Sequence, residues 1–118
     1  MRATDAVGRY GERVAAAYLL AQGWQLLDRN WRGPDGELDI VALHRGALVA
    51  VEVKTRRGLG YGHPAEAVNL RKQARLRRLT AQWLAAHDVH PDTIRIDVIA
   101  VLVARSGAAQ LEHLVGVL

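Results

Sequence analysis

The chain contains no cysteine. A disulfide framework is therefore excluded, and zinc would have to bind through histidine and carboxylates alone. A reducing cytoplasm is the simplest compartment for such a composition. No run approaches the ~20 consecutive apolar residues of a membrane span, so no membrane partner is expected. The opening residues Met1-Arg2-Ala3-Thr4-Asp5 lead into a polar-punctuated helix and not into the apolar core of a signal peptide. Internal repeats, low-complexity tracts and linkers are missing, so 118 residues read as a single domain spanning 1–118. The glycines of Gly58-Leu59-Gly60-Tyr61-Gly62 lack strand-to-helix GxGxxG spacing, which excludes a dinucleotide fingerprint. His44, His63, His87, His90 and His113 are scattered without ligand spacing.

What is present is a core and a basic cluster. Half of the residues are hydrophobic, too many for a disordered tail. The net charge of +4 is modest but unevenly placed. Arg56, Arg57, Arg71, Lys72, Arg75, Arg77 and Arg78 fall between positions 56 and 78, where Glu66 is the one acid. Such a patch suits a polyanion, because binding releases condensed counterions. Its plain alternative is a solvated helix face.

The periodicity predicts a helix from Asp5 to Gln22, with Thr4 as N-cap and Gly23 as stop. Strands follow over Trp24–Arg32, Glu37–Leu43 and Ala47–Thr55. The first ends at Gly33-Pro34-Asp35-Gly36, and Arg45-Gly46 turns the second into the third. A second helix is predicted from Pro64, at its first turn, to His87. Leu76, Leu79, Trp83 and Leu84 form its apolar side. Arg71, Arg75 and Arg78, at i, i+4 and i+7, form a separate stripe. Strands over Ile94–Val103 and Leu111–Leu118 complete the order helix, three strands, helix, two strands.

The chemistry concentrates on the central hairpin. Gly36-Glu37-Leu38-Asp39-Ile40-Val41 and Val49-Ala50-Val51-Glu52-Val53-Lys54-Thr55 each alternate between a charged and an apolar face. A two-residue turn at Arg45-Gly46 makes opposed positions sum to 91. Asp39 then faces Glu52, and Glu37 faces Lys54. Opposed side chains on one face have Cβ atoms roughly 4.5–5.5 Å apart, and like charges there repel. Asp39 and Glu52 thus need a cation, a proton or wide exposure. Mg²⁺ or Mn²⁺ suits two such oxygen ligands. Lys54, on the same face, would orient or deprotonate a water or stabilise charge developing on phosphorus. The competing arrangement is an exposed face with a Glu37–Lys54 ion pair, worth little. Lys72 either snorkels along the apolar side of the second helix or points toward the site. Gln73 is a weaker candidate of the same kind. Asp97, in a nearly all-apolar strand, is expected to pair with Arg95 two residues away. Trp24, Trp31 and Trp83 read as core anchors.

Gly11-Glu12, Asn30-Trp31-Arg32, Gly36-Glu37-Leu38-Asp39, Val51-Glu52-Val53-Lys54-Thr55-Arg56 and Arg95-Ile96-Asp97-Val98 form an ordered set. It resembles the YraN-like family of small bacterial proteins within the PD-(D/E)xK, or restriction-endonuclease-like, nuclease superfamily, and is similar to archaeal Holliday-junction resolvases. The resemblance implies an α/β fold with an αβββαβ core and a mixed central sheet flanked by helices. It implies Asp39 and Glu52 as metal ligands, Lys54 as catalytic lysine, and Glu12 as a further ligand or water-holder. Pro-Asp occurs as Pro34-Asp35, before Gly36, so the ligand role goes to Asp39. The implied activity is metal-dependent hydrolysis of DNA in preference to RNA, on branched substrates, with Arg56, Arg57, Arg71, Lys72, Arg75 and Arg78 holding phosphates. Resolvase-type cutting needs two active sites and hence a homodimer. Two other readings remain open: a nucleic-acid-binding module that keeps the fold without hydrolysis, and a partner-binding subunit.

Overall fold

The computed structural model describes residues 3–57 and 69–117, with the side chains of residues 3–5 excepted. The order is α1 (Ala3–Ala21), β1 (Gln25–Gly33), β2 (Gly36–His44), β3 (Ala47–Arg57), α2 (Leu70–Ala86), β4 (Thr93–Val103) and β5 (Gln110–Leu114). This is the expected order, an αβββαβ core followed by a fifth strand. The sheet runs β1-β2-β3-β4-β5. β1, β2 and β3 form an antiparallel meander, β4 lies parallel to β3, and β5 returns antiparallel to β4. α2 provides the crossover that a parallel pair requires.

Each face of the sheet carries one helix, so the central strands are apolar on both sides. Ala15, Ala16 and Leu19 of α1 pack with Ile40, Ala42, Val49, Val51, Ile99 and Val101. Leu76, Leu79 and Trp83 of α2 pack with Leu38, Val41, Leu48, Ala50, Ile96 and Val98. Trp24 and Trp83 are buried, and Trp31 is half-buried against the α2 layer, as expected of core anchors. At Gly11 α1 comes close to the sheet. A Cβ there would overlap the Thr55 side chain, whereas one on Gly8 would meet nothing within 4 Å.

The hairpin turn follows from its residues. Arg45 and Gly46 both have positive φ, 50° and 81°, the signature of a type I′ turn whose twist matches the strands. His44 pairs with Ala47, Val41 with Ala50 and Ile40 with Val51, so every paired position sums to 91 as anticipated.

Three boundaries differ from the sequence reading for reasons visible in the structure. α1 starts at Ala3, which puts Thr4 inside the first turn and not at the cap. α2 starts at Leu70: Asn69 is extended (φ −85°, ψ 178°), and its side chain accepts a hydrogen bond from the Lys72 amide. The expected start at Pro64 lies outside the described residues. So do Gly58-Leu59-Gly60-Tyr61-Gly62 and Glu66. β5 stops at Leu114, because Gly116 takes φ 62° and its amide turns inward to Asp97.

Asp97 is fully buried and fully bonded. Arg95 Nε and Nη2 lie 2.9 and 3.1 Å from its two oxygens, His113 Nε2 at 2.8 Å and the Gly116 amide at 2.9 Å. The Tyr18 hydroxyl meets the other ring nitrogen of His113 at 3.0 Å, linking α1 to β5. The expected Arg95 partnership is present, and the role is structural.

The two glycines of α1 should separate on substitution. Gly11→Ala is expected to cost about 1–3 kcal/mol, because overpacking must displace Thr55. Gly8→Ala should stabilise by about 0.5–1 kcal/mol through helix propensity. Urea denaturation of both variants reads the difference; equal midpoints would contradict the close approach at Gly11.

Candidate active site

A fork in the sheet creates the site. β2 and β3 pair from the turn to Ile40 and Val51, and no further. At the next step the Val53 amide donates to Asp39 Oδ2 at 2.8 Å. A side chain thus takes the place of a backbone acceptor. The irregularity extends into β1, where Asn30, opposite Asp39, adopts φ 53° and drops out of the ladder between Arg29↔Ile40 and Trp31↔Leu38. The inward alternation of β2 slips here too: Leu38 and Val41 both face the α2 layer, while Ile40 faces α1.

The fork opens into a cleft of about 680 Å³ lined by Glu12, Asp39, Glu52, Lys54, Arg56 and Arg57, among others. The four catalytic candidates therefore converge. Their pairing differs from the expectation in two respects. Asp39 and Glu52 are close enough to repel but are not ladder partners, because the strands have parted. Glu52 instead receives Lys72 Nζ at 2.8 Å, with both side chains largely shielded (14% and 23% exposed). Lys72 thus points toward the site, reaching a carboxylate of the cleft wall, and does not lie with the exposed basic stripe. Glu37 is not opposite Lys54; it sits across β1 from Arg32, whose Nη2 is 3.1 Å away. Among the described residues Lys54 makes no salt bridge.

Glu37 also joins a cluster that the sequence reading missed. One carboxylate oxygen each from Glu12, Glu37 and Asp39 lie within 4.8 Å of one another. The signal was present, since Glu37 and Asp39 share a strand face, but Glu37 had been read as a partner for Lys54. Asn30 was missed as well. Its side chain hydrogen-bonds Glu12, and only its left-handed backbone hinted at a special position.

The electrostatics follow from this crowding. Asp39 is pushed from its ordinary 3.8 up to about 7. Burial is the first cause and the Glu52 carboxylate the second; the Val53 amide opposes them, and Glu12 and Glu37 add to the rise. Glu12 is also raised, by burial and then by Glu37, against the Asn30 hydrogen bond and Arg29. The donor set is carboxylate oxygen throughout, which fits a hard divalent cation and not a soft one. A cation placed among these oxygens would relieve the same repulsion that raises both groups.

The basic residues divide. Arg57, Arg71, Arg75 and Arg78 are exposed, and Arg56 is half-buried at the cleft. Arg78 is 3.7 Å from Asp35, an exposed contact worth little. Gln73 is directed away from the site, its amide donating to the Val117 carbonyl at 2.9 Å.

A family model described as "Uncharacterised protein family UPF0102" matches residues 11–101, a span that contains Glu12, Glu37, Asp39, Glu52 and Lys54. The chain belongs to the UPF0102 family. This is the YraN-like family that the ordered motifs resembled. A UPF0102 protein of Beutenbergia cavernae is 62% identical over 117 residues, covering 99% of each chain. UPF0102 proteins of Kineococcus radiotolerans and Arthrobacter sp. (strain FB24) are 53% and 52% identical, covering 99% of this chain and 97% and 99% of theirs. No described helix of this UPF0102 protein is long and apolar enough to cross a membrane.

The raised Asp39 has a defined consequence for stability. The folded protein keeps the Asp39 proton up to about pH 7, while the unfolded chain releases it near 3.8. The folded state binds more protons between those values, so stability should fall as pH rises from about 4 to about 7. Asp39→Asn should flatten that fall. Urea midpoints measured across the interval provide the check; parallel slopes for wild type and variant would rule out the shift.

Proposed function

We propose that this UPF0102 protein is a Mg²⁺- or Mn²⁺-dependent nuclease that hydrolyses DNA phosphodiester bonds, with branched DNA as its preferred substrate. The observation that carries the reading is Asp39: a carboxylate at a sheet fork, raised to about 7, grouped with Glu12 and Glu37 within 4.8 Å. Carboxylates crowded in this way into a cleft with a lysine have no evident packing role. The ordered resemblance to PD-(D/E)xK nucleases supports the same assignment.

Asp39, Glu12 and Glu37 would hold the ion, and Glu52 stands within electrostatic reach of Asp39. When bound, a divalent ion polarises a phosphoryl oxygen and lowers the pKa of an attacking water. The protein's own groups do the rest. Glu12, its carboxylate bonded by Asn30, accepts a proton of that water and orients it. Lys54 lines the same cleft and donates to the phosphoryl oxygens, where negative charge grows in the transition state. Arg56 and Arg57 take flanking phosphates, and the exposed arginines of α2 extend the positive surface. Such contacts position the backbone and carry no sequence information. The homodimer belongs to this proposal, since two cuts need two sites.

The test is cleavage of linear, single-stranded and four-way-junction DNA, with an RNA control, in Mn²⁺ and in chelator. Wild type should cut only with the metal. Asp39→Asn should abolish cutting, and Lys54→Met should slow it on the order of 10²–10³-fold. Cutting that survives both substitutions would refute the assignment. Salt-sensitive DNA binding without cutting would favour the binding-module reading, for which the exposed arginine stripe is sufficient.

A further inference from the structure

Lys72 stands in a place that helix stability does not explain. It lies in the first turn of α2, where the helix dipole disfavours a cation and where no acidic residue is present. Its amide is used by the Asn69 cap, while its ammonium reaches across to Glu52 at 2.8 Å. The Glu52 carboxylate helps to push Asp39 up, and Glu52 itself has a cation beside it, the Lys72 ammonium. A lysine ammonium carries three donors on a flexible stem. Glu52 is the one carboxylate paired with Lys72 among the described residues, so donors remain for another anion.

We propose that Lys72 is the resident counter-ion of Glu52, exchanging that carboxylate for a substrate phosphate oxygen when Glu52 turns to a divalent cation. In the metal-free protein the pair gives Glu52 a shielded cationic partner inside a crowded acidic cleft. On loading, Glu52 joins Asp39, and the ammonium is delivered beside the scissile phosphate. Lys72 and Lys54 then approach the cleft from α2 and β3 respectively. The phosphate half of this exchange rests on the nuclease reading; the Glu52 half does not.

Titration calorimetry with Mn²⁺ alone, on the full chain without DNA, reads the first half. Lys72→Met should bind Mn²⁺ on the order of tenfold more tightly, because Glu52 no longer has to be released. Lys72→Arg should remain near wild type. In a Glu52→Gln background, Lys72→Met should change little. Unchanged or weaker Mn²⁺ binding by Lys72→Met would overturn the exchange. So would an equal gain in the Glu52→Gln background, which would reduce Lys72 to a general charge effect. Lys72→Gln serves if the methionine variant fails to fold. The second half is read by the salt dependence of four-way-junction binding with and without Ca²⁺. Lys72→Met should lower the slope by about one phosphate contact only with the ion present. Equal slopes in both conditions would overturn the exchange at the phosphate. Absence of DNA binding in wild type would remove both the phosphate half and the nuclease reading, leaving the Mn²⁺ result to decide the Glu52 half.

Discussion

Everything in this molecule depends on β3 being paired on both edges and buried on both faces, and on β2 leaving it early. The type I′ turn sets the register at one end. From there five residue pairs hold the two strands together, up to Ile40 and Val51. Beyond that point β3 keeps β4 as its parallel neighbour as far as Arg57, so it stays rigid after losing β2. The result is a fixed strand that presents Glu52, Val53 and Lys54 beside a gap. Asp39 closes the fork by accepting the Val53 amide, which joins site and scaffold in a single hydrogen bond. The left-handed Asn30 lets β1 follow the same departure while bonding Glu12 from the neighbouring helix.

The cleft is governed by an imbalance of charge. Glu12, Glu37, Asp39 and Glu52 converge, and two of the four have their own cations, Arg32 and Lys72. Arg32 is exposed and its pair is weak. Lys72 is shielded and its pair is correspondingly stronger. Glu12 and Asp39 are left without a salt bridge among the described residues, and burial and the neighbouring carboxylates raise the proton affinity of both. The pattern of partnered and unpartnered carboxylates therefore marks out where an incoming cation would find the least competition.

Much of this was readable in the chain. Alternation placed β2 and β3, Arg45-Gly46 set their register, and the apolar run at Ile94–Val103 and the apolar helix side of Leu76, Leu79, Trp83 and Leu84 marked elements buried against the sheet. Local patterns sufficed there because each residue's fate depended on its own strand or helix. The errors came where ideal geometry ends. Extrapolating a sum of 91 past Ile40 and Val51 assumed an unbroken ladder, and so paired Asp39 with Glu52 and Glu37 with Lys54. The Asp39–Val53 bond just beyond that ladder, and the left-handed Asn30 on β1, leave no periodic trace. Lys72 was ambiguous for a related reason. Helical spacing put it on the apolar side of α2, and only the packing of α2 over β3 shows that a carboxylate waits there.

Asp97 gives the chain a sense of order in time. Its first partner, Arg95, precedes it by two residues and is at hand as soon as the strand is made. The others, His113 and the Gly116 amide, lie sixteen and nineteen positions further on. During synthesis the α1 face of the sheet thus carries a carboxylate served by a single guanidinium until β5 has emerged and folded back. A chain halted between β4 and β5 would keep that carboxylate short of two partners beneath α1. Closing the sheet and completing the hydrogen bonds of its one buried carboxylate among the described residues therefore go together, since both distant partners lie in or just after β5.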